Sequence, residues 1–410
     1  SWPSASGDVL PGKRILAVAG SDLDWELPEH GRYGQASAGT LGMLPRLVRS
    51  LGAEFQETTE ITTAELGSAD CVLLLRTAGR LTVPQTQRLL DYVRRGGAVL
   101  LADRRIGAAT GESLITPAVL APTPMQLRRD RATSTTGSWA ASLQSGWWPG
   151  TLTMLEQRGS VFGDSGASLE PGWPARPLVV GRWGWSDPGD EASPSSLSRY
   201  EPGERLGDLV LVAEQRIGRG TVLVIGDETA FTNEGLVHGY TLVERLLTDA
   251  IDPPWRSTRS GLTIVLLTLL IAVLVLCPLP CRWLQDCLTW SLISARGNGW
   301  MQSELAIPRR QPSTDLAEED PPVRLAYLDA SHLESYRDAD WVFDGVNGLA
   351  LTLMRSGYLT LRLNDWTEER LRAADAVISI APGRCWSRRE HRLLREYVEG
   401  GGALIFCAGA

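Results

Sequence analysis

The sequence predicts an α/β fold in which two copies of one parallel-sheet domain are joined by a transmembrane helix. Three observations lead to this prediction. Residues 44–100 align without a gap onto residues 349–405, at a constant offset of 305. In both copies, short apolar runs alternate with amphipathic runs, which is typical of parallel strands covered by helices on both faces. Between the copies, residues 260–281 contain no charged residue.

The identities between the copies fall where the backbone is most constrained. Gly52 aligns with Gly357, and Gly96-Gly97-Ala98 aligns with Gly401-Gly402-Ala403. Backbone geometry requires glycine at certain turns, and packing requires apolar residues at positions that face the core. The alignment therefore predicts one structural unit that occurs twice.

The first copy is predicted over residues 13–250. A buried strand is expected at residues 14–19, and a helix at 40–51 that ends at Gly52. Another helix is expected to begin at Thr82, where Gln85 completes a capping box and Pro84 suits the first turn. The remaining predicted elements are strands at 71–75, 98–102, 209–213 and 221–225, and a closing helix at 237–249.

An insertion rich in Gly, Pro and Ser is predicted at about 107–204. It contains Trp139, Trp147, Trp148, Trp173, Trp183 and Trp185. An aromatic platform for a sugar or a peptide would use the pairs Trp147/Trp148 and Trp183/Trp185. Alternatively, the tryptophans form the core of an irregular insert.

The second copy is predicted over residues 323–410 and repeats the order of elements. Ser387 and Glu390 form its capping box. The chain has no initiator Met and stops as a strand ends, so we expect a segment of a longer protein whose second domain is truncated at its C-terminus. The predicted elements are strands at 324–328, 376–380 and 403–407 and a helix at 345–356.

The apolar segment 260–281 predicts a membrane-spanning helix. Residues 262–280 would extend roughly 28 Å as a helix, close to the thickness of the hydrocarbon layer. Tryptophans flank the segment on both sides. This predicts a bacterial inner-membrane protein with its two domains on opposite sides, and the excess of Arg after the segment favours a cytoplasmic second domain. Residues 282–322 are predicted to be a juxtamembrane segment and linker.

Composition excludes several classes of function. The net charge of −8 argues against a nucleic-acid partner. The six cysteines form neither a CxxC pair nor a pattern with His, so neither a metal nor another cofactor is predicted. The lipid bilayer and protein partners in an envelope complex are the expected partners.

Residues 82–103, 387–409 and 218–236 carry a resemblance to the class I glutamine amidotransferase-like superfamily. The shared features are a strand, a capping box, a helix, a Gly-Gly turn and a further strand. The resemblance implies two flavodoxin-like, doubly wound parallel-sheet domains. Residues 218–236 are similar in particular to those of uncharacterised membrane-anchored bacterial members, which are related to gliding-type transport components.

Catalytic members of that superfamily carry a nucleophilic cysteine between glycines, and this implies Cys407 as the catalytic candidate. Cys407 is preceded by Ile405 where the family has Gly, and a side chain there crowds the oxyanion pocket. The equivalent residue in the first copy is Ala102, so that copy has no nucleophile. The alternative is that Cys407 is a small buried hydrophobe at the end of a strand.

Polar residues at the carboxyl ends of the first copy's strands are the candidate ligand-binding residues, because ligands of doubly wound sheets bind there. They would form an acidic rim for a cation or a hydroxyl-rich ligand. The alternative is that they serve as helix caps and Asx turns. His238 and His332 are isolated in the sequence. The candidates are Ser21, Asp22, Asp103, Asp227, Glu228 and Asn233.

Together these patterns predict a membrane-anchored, non-catalytic, amidotransferase-like protein. It would bind a ligand or a partner within a bacterial envelope or transport-linked assembly. The first alternative is a cysteine-dependent amidotransferase or hydrolase that uses Cys407. The second is a carbohydrate-binding protein that uses the tryptophan-rich insertion.

Overall fold

The computed structural model describes residues 9–18, 23–27, 41–75, 81–102, 118–128, 130–134, 143–145, 152–154, 166–187, 202, 204–253, 323–334, 336 and 345–407. Within these residues the chain is a mixed α/β protein with two main sheets, one of ten strands and one of four.

The first copy begins with alternating strands and helices. Cys71–Leu75 is buried along its whole length, as expected for a central parallel strand. The elements are β1 (Arg14–Val18), α1 (Leu44–Ser50), β2 (Glu54–Thr58), α2 (Thr63–Ser68), β3 (Cys71–Leu75), α3 (Val83–Arg95) and β4 (Ala98–Ala102).

The insertion and the closing part of the first copy add strands and one long helix. Two short 3-10 helices occur here, at Ala118–Leu120 and Thr229–Phe231. The other elements are β5 (Gln126–Leu127), β6 (Arg131–Ser134), β7 (Leu143–Ser145), β8 (Leu152–Met154), β9 (Leu169–Glu170), β10 (Arg176–Asp187), β11 (Arg205–Ile217), β12 (Gly220–Ile225) and α4 (Asn233–Ile251).

The second copy repeats the opening sequence of elements. They are β13 (Arg324–Asp329), α5 (Asn347–Arg355), β14 (Tyr358–Leu363), α6 (Glu368–Ala373), β15 (Ala376–Ile380), α7 (Arg388–Glu399) and β16 (Ala403–Cys407).

The strand order confirms the predicted repeat. The first sheet contains the order β2-β1-β3-β4, and the second sheet has the matching order β14-β13-β15-β16. All neighbours within these two sets are parallel. The predicted capping boxes at Thr82/Gln85 and Ser387/Glu390 are also present and begin α3 and α7. The two copies therefore share one topology as well as one sequence pattern.

The prediction of two purely parallel sheets is wrong for the first sheet. β12 continues it in parallel beside β4, but β11 runs antiparallel to both β12 and β10. A two-residue turn joins β11 to β12, and so short a connection permits only antiparallel pairing. Strands of the insertion then extend the same sheet beyond β10.

α4 links the two copies. It packs on β3, β4 and β12 of the first sheet and on β14 of the second. Almost every residue of α4 is buried, which is typical of a helix covered on all sides. A single hydrophobic core contains residues of both copies, such as Leu242 and Leu361. The two copies consequently belong to one compact unit, formed by Ser1–Pro253 and Val323–Ala410.

The prediction of two domains joined by a transmembrane helix is wrong. The segment 260–281 lies outside the described residues. In the described part of the chain, no helix combines the length and the apolar character needed to cross a bilayer. The two copies share one core, which contradicts their predicted placement on opposite sides of a bacterial inner membrane. The predicted domain boundaries and the predicted protein partners stay predictions.

Candidate carboxylate–histidine site

The strongest concentration of buried polar groups lies at the carboxyl end of β13. β14 lies on one side of β13 and β15 lies on the other. The connections that leave the carboxyl ends of β13 and β15 therefore run in opposite directions. In open α/β sheets, ligands bind in the crevice at such a switch point. Asp329 is the last residue of β13, and Ser331, His332 and Glu334 follow it in the loop.

The Asp329 carboxylate is the centre of the site. It is 1% exposed and accepts hydrogen bonds from the Ser331 hydroxyl at 2.9 Å and the Ser379 hydroxyl at 3.0 Å. His332 Nδ1 lies 2.9 Å from Asp329 Oδ2, and Trp366 Nε1 lies 3.3 Å from Oδ1. A buried carboxylate needs such donors because it has lost its water. The network therefore holds Asp329 in one orientation.

His332 is fully buried, and its two ring nitrogens have different surroundings. Because Nδ1 faces the Asp329 carboxylate, the neutral ring carries its hydrogen on Nδ1. Nε2 is then left with a lone pair, and it has no hydrogen-bond partner among the described residues. The nearest charged group is Glu390 Oε2 at 3.5 Å, which is beyond a normal hydrogen bond. The rings of Trp366 and Trp386 enclose the imidazole edge-on.

Glu334 brings a second carboxylate to the same imidazole. Its Oε1 accepts a hydrogen bond from the His332 backbone N–H at 2.8 Å and lies 4.0 Å from Nδ1. Burial raises the pKa of Glu334, and the negative charge of Asp329 raises it further. Leu333 between them has φ +56°, a left-handed conformation that is strained for leucine. This turn places His332 and Glu334 on the same side of the loop.

The arrangement is suited to a small cation. One ligand atom each from Asp329, His332 and Glu334 lies within 4.8 Å of the others. Two carboxylates this close cannot both ionise cheaply in a buried site unless a positive charge joins them. The three residues are too deeply buried for a larger molecule to reach.

Asp227, Glu228 and Asn233 lie together at the junction of β12 and α4, where the sequence placed an acidic rim. All three are buried. Asp227 Oδ1 accepts from the Thr229 N–H at 3.1 Å, and Asn233 Oδ1 accepts from the Met43 N–H at 2.8 Å. The first contact fits the alternative of a local Asx turn, whereas the second joins the start of α4 to the start of α1. The ligand-binding role of the set stays a prediction, and Ser21, Asp22 and Asp103 lie outside the described residues.

The expectation that Cys407 is a buried hydrophobe is wrong. Cys407 is exposed, and within the described residues no strand pairs with the outer edge of β16. Cys71 is the buried contrast in β3, where burial raises the pKa of its thiol to about 12. The use of Cys407 as a nucleophile stays a prediction.

The described tryptophans of the insertion do not form one surface. Trp183 is 63% exposed with φ +56°, and the Arg182 guanidinium lies 5.4 Å from its ring centre. Trp185 is 7% exposed. Trp147 and Trp148 lie outside the described residues, so the carbohydrate-binding alternative stays a prediction.

The sequence did not predict this site, because His332 is far from the other histidines along the chain and no Cys or paired-His pattern surrounds it. The usable signal is the spacing Asp-x-x-His-x-Glu directly after an apolar strand, at 329–334. That spacing places one imidazole and two carboxylates in a single turn at the carboxyl end of a parallel strand.

Comparison with protein families finds one match. The model described as "Domain of unknown function (DUF4350)" matches residues 36–247. The match covers most of the first copy and the insertion, and the carboxylate–histidine site lies after it. No curated protein matches the chain.

Solved structures show only distant similarity. The mmIFT52 N-terminal domain is 14% identical, with 58% of this chain and 96% of that chain covered and a TM-score of 0.38. A cytoplasmic protein from Salmonella typhimurium LT2 is 13% identical, with coverages of 58% and 99% and a TM-score of 0.30. An exo-β-1,4-mannosidase from Opitutaceae bacterium strain TAV5 is 11% identical, with coverages of 59% and 34% and a TM-score of 0.30.

The resemblance to the class I glutamine amidotransferase-like superfamily is wrong. The family model that matches the chain describes a domain of unknown function and does not point to that superfamily. A capping box followed by a Gly-Gly turn recurs wherever a helix returns the chain to a parallel strand, so the motif is not specific to one family.

Proposed function

The chain belongs to the family of the domain of unknown function DUF4350, and on this premise we propose that its second copy is a binding module for a divalent transition-metal ion. The observation that carries the proposal is the buried group of Asp329, His332 and Glu334, whose ligand atoms lie within 4.8 Å of one another. The ion would supply the positive charge that two adjacent buried carboxylates lack.

The donor set selects the class of metal. One imidazole with two carboxylates suits Zn²⁺ and its neighbours Mn²⁺, Fe²⁺ and Co²⁺, whereas Ca²⁺ and Mg²⁺ prefer oxygen ligands throughout. Metal bonds of about 2.0–2.2 Å place the donors of a tetrahedral site roughly 3.3 Å apart. The observed distances from His332 Nδ1, 2.9 Å to Asp329 and 4.0 Å to Glu334, lie on either side of that value. Ligation through Nδ1 would displace the hydrogen that this nitrogen donates to Asp329, and the ring would then carry its hydrogen on Nε2, which faces Glu390 Oε2 at 3.5 Å.

Neighbouring side chains hold the ligands of the proposed metal site in place. Ser379 and Trp366 donate to Asp329 and fix its carboxylate, as outer groups do around ligating carboxylates. The aromatic rings of Trp366 and Trp386 exclude water from the imidazole. Water exclusion strengthens the attraction between an ion and its ligands.

The test is metal binding by the whole chain. We expect the metal-free protein to bind Zn²⁺ at one equivalent in calorimetry, and Co²⁺ to give the visible absorption of a site with nitrogen and oxygen ligands. His332→Gln is expected to weaken Zn²⁺ binding more than about 100-fold, beyond the usual effect of an outer-shell change. His391→Gln is the matched control, because His391 is exposed on α7 and contacts only the Trp386 ring of the site, not the three donor residues.

Glu334→Gln separates metal binding from folding. Glutamine preserves the shape of the side chain and the bond from the His332 N–H, but it removes the charge. We expect this variant to fold with an unchanged circular dichroism spectrum and to lose Zn²⁺ affinity. If the wild-type chain binds none of Zn²⁺, Mn²⁺ and Co²⁺, the group is only a hydrogen-bond network around Asp329 and the proposal fails.

A further inference from the structure

Residues that build the carboxylate–histidine site stand where the first copy has apolar residues. The strand registers make Val18 the equivalent of Asp329, and the offset of 305 makes Leu74 the equivalent of Ser379. In the first sheet Val18 and Leu74 are buried neighbours on adjacent strands. In the second sheet the Ser379 hydroxyl donates to the Asp329 carboxylate at 3.0 Å. The shared fold therefore packs without these polar groups, and they belong to the chemistry of the second copy.

Glu390 has a polar counterpart in the first copy, and the comparison separates its charge from its role as a cap. At the same offset of 305 the counterpart is Gln85. Gln85 accepts a hydrogen bond from the Thr82 N–H at 2.8 Å, and Glu390 accepts one from the Ser387 N–H at 2.5 Å. Both residues complete a capping box. An uncharged amide oxygen is thus sufficient for the cap, which does not explain the negative charge of Glu390.

The charge of Glu390 faces the imidazole of His332. Glu390 Oε2 lies 3.5 Å from His332 Nε2, which has no hydrogen-bond partner among the described residues. The other carboxylate oxygen, Oε1, lies 3.3 Å from the Arg384 guanidinium. Arg384 and the Ser387 N–H therefore hold the carboxylate with one oxygen towards the buried ring.

The position of the ring hydrogen decides whether this contact is favourable. While Nδ1 donates to Asp329, Nε2 presents a lone pair to the Glu390 carboxylate, and the two repel each other. If Nδ1 instead ligates an ion, the hydrogen lies on Nε2 and points at the carboxylate. Metal-ligating histidines commonly donate their second N–H to a carboxylate, which fixes the ring and makes it a better ligand. The location of Glu390 thus suits the metal-bound form of His332.

We propose that Glu390 is a positioning residue of the metal site, a role that rests on the proposed function above. Once Nδ1 of His332 ligates the ion, Glu390 accepts the hydrogen bond from Nε2–H and holds the ring in the ligating tautomer. The separation of 3.5 Å would shorten to about 2.8 Å, as is usual for an N–H bonded to a carboxylate. Because Glu390 also caps α7, an ion in the site would be linked to the first turn of that helix.

The experiment compares Zn²⁺ binding by the whole chain and by its Glu390→Gln variant in calorimetry. Glutamine is the residue that forms the equivalent cap in the first copy, so we expect thermal unfolding of the metal-free chain to be unchanged. Loss of the charge is expected to weaken Zn²⁺ binding about 10- to 100-fold, the usual effect of removing a hydrogen-bond partner of a metal ligand. Glu396→Gln is the matched control, because it removes a carboxylate from an exposed position of the same helix and should leave the affinity unchanged.

Nitrogen-15 spectroscopy of the imidazole gives a readout that the cap of α7 does not change. We expect His332 to carry its hydrogen on Nδ1 in the metal-free chain and on Nε2 in the Zn²⁺-bound chain. The signals of His332 are assigned by their loss in the His332→Gln variant.

The outcomes distinguish failure of this role from failure of the metal site. If the wild type binds Zn²⁺ and Glu390→Gln binds it equally well, or if the bound ring ligates through Nε2, Glu390 does not position His332 although the metal site stands. A lower unfolding temperature of metal-free Glu390→Gln would assign the charge to the cap and also overturn the proposal. If the wild type binds no Zn²⁺, the proposed function fails and the role of Glu390 fails with it.

Discussion

At the scale of single residues, both copies share one tight steric contact. A Cβ atom built on Gly97 would lie 2.1 Å from the ring of Tyr92, and one built on Gly402 would lie 2.1 Å from the ring of Tyr397. Both tyrosines are buried, and Tyr92 donates to the Ala69 carbonyl at 3.2 Å. The second glycine of each Gly-Gly turn is therefore required by packing against an aromatic ring.

Gly97→Ala is expected to lower the free energy of unfolding by about 2–3 kcal/mol, because the added methyl group must displace the Tyr92 ring. The matched control is Gly67→Ala in α2, where a Cβ atom would meet nothing within 4 Å. Alanine favours the helix, so the control should keep or gain up to about 1 kcal/mol. Urea unfolding measures both values, and equal effects of the two changes would show that the ring contact is not the constraint.

At the scale of elements, a capping box in the first turn fixes where the helix before each Gly-Gly turn begins. The Thr82 hydroxyl accepts from the Gln85 N–H, and the Gln85 side chain accepts from the Thr82 N–H at 2.8 Å. In α7 the same pair is Ser387 and Glu390, and Glu390 also faces His332 Nε2. Burial opposes ionisation of Glu390, but hydrogen bonds from Ser387 outweigh it and lower the pKa of the carboxyl. The cap of α7 thus contributes one wall of the candidate site.

Thr82→Ala should lower the free energy of unfolding by about 1 kcal/mol, because the Gln85 N–H at the start of α3 loses the hydroxyl that accepts its hydrogen bond. The control is Gln87→Ala, which changes an exposed position of the same helix. Thermal unfolding should show a decrease for the first variant and little change for the second. A loss of similar size in both would mean that general helix propensity, and not the cap, stabilises α3.

At the scale of the whole molecule, α4 joins the copies through a buried polar contact as well as through apolar packing. The Arg370 guanidinium of the second copy donates to the Tyr240 hydroxyl of α4 and pairs with Asp365 at 2.9 Å. Glu244, one turn further along α4, is 8% exposed. Burial raises the pKa of Glu244 to about 7, although Arg370 and Arg245 oppose the shift. The region where the copies meet therefore contains a buried carboxyl group whose pKa is raised.

The sign of this pH effect follows from proton linkage. Between the ordinary carboxyl value of 4.5 and about 7, the folded chain holds a proton on Glu244 that the unfolded chain has lost. Stability contributed by Glu244 therefore decreases as pH rises through that window, by about 3 kcal/mol at most, and is constant above it. Glu244→Gln imitates the protonated group, so we expect it to match the wild type at pH 5 and to be more stable at pH 8. Urea unfolding at both values checks this, and an unchanged pH dependence in the variant would contradict it.

The sequence alone determined the elements whose formation depends on local rules. Strands β3, β4, β15 and β16 have the predicted bounds, because short apolar runs between turn signals leave little choice. The helices that follow a capping box were located from Thr82 and Ser387 in the same way. The sequence missed β2, an edge strand with the polar composition EFQET, since its alternation is weak and only one face is covered.

Only the tertiary structure decided how these elements are used. It placed α4 between the copies, where sequence patterns had predicted a membrane, because a contact between residues far apart in the chain leaves no periodic signal. It brought Ser379 and Trp366 to Asp329, and Glu390 to His332, across intervals of 37 to 58 residues. Local propensity specifies which strands form, whereas burial depends on which other elements reach them.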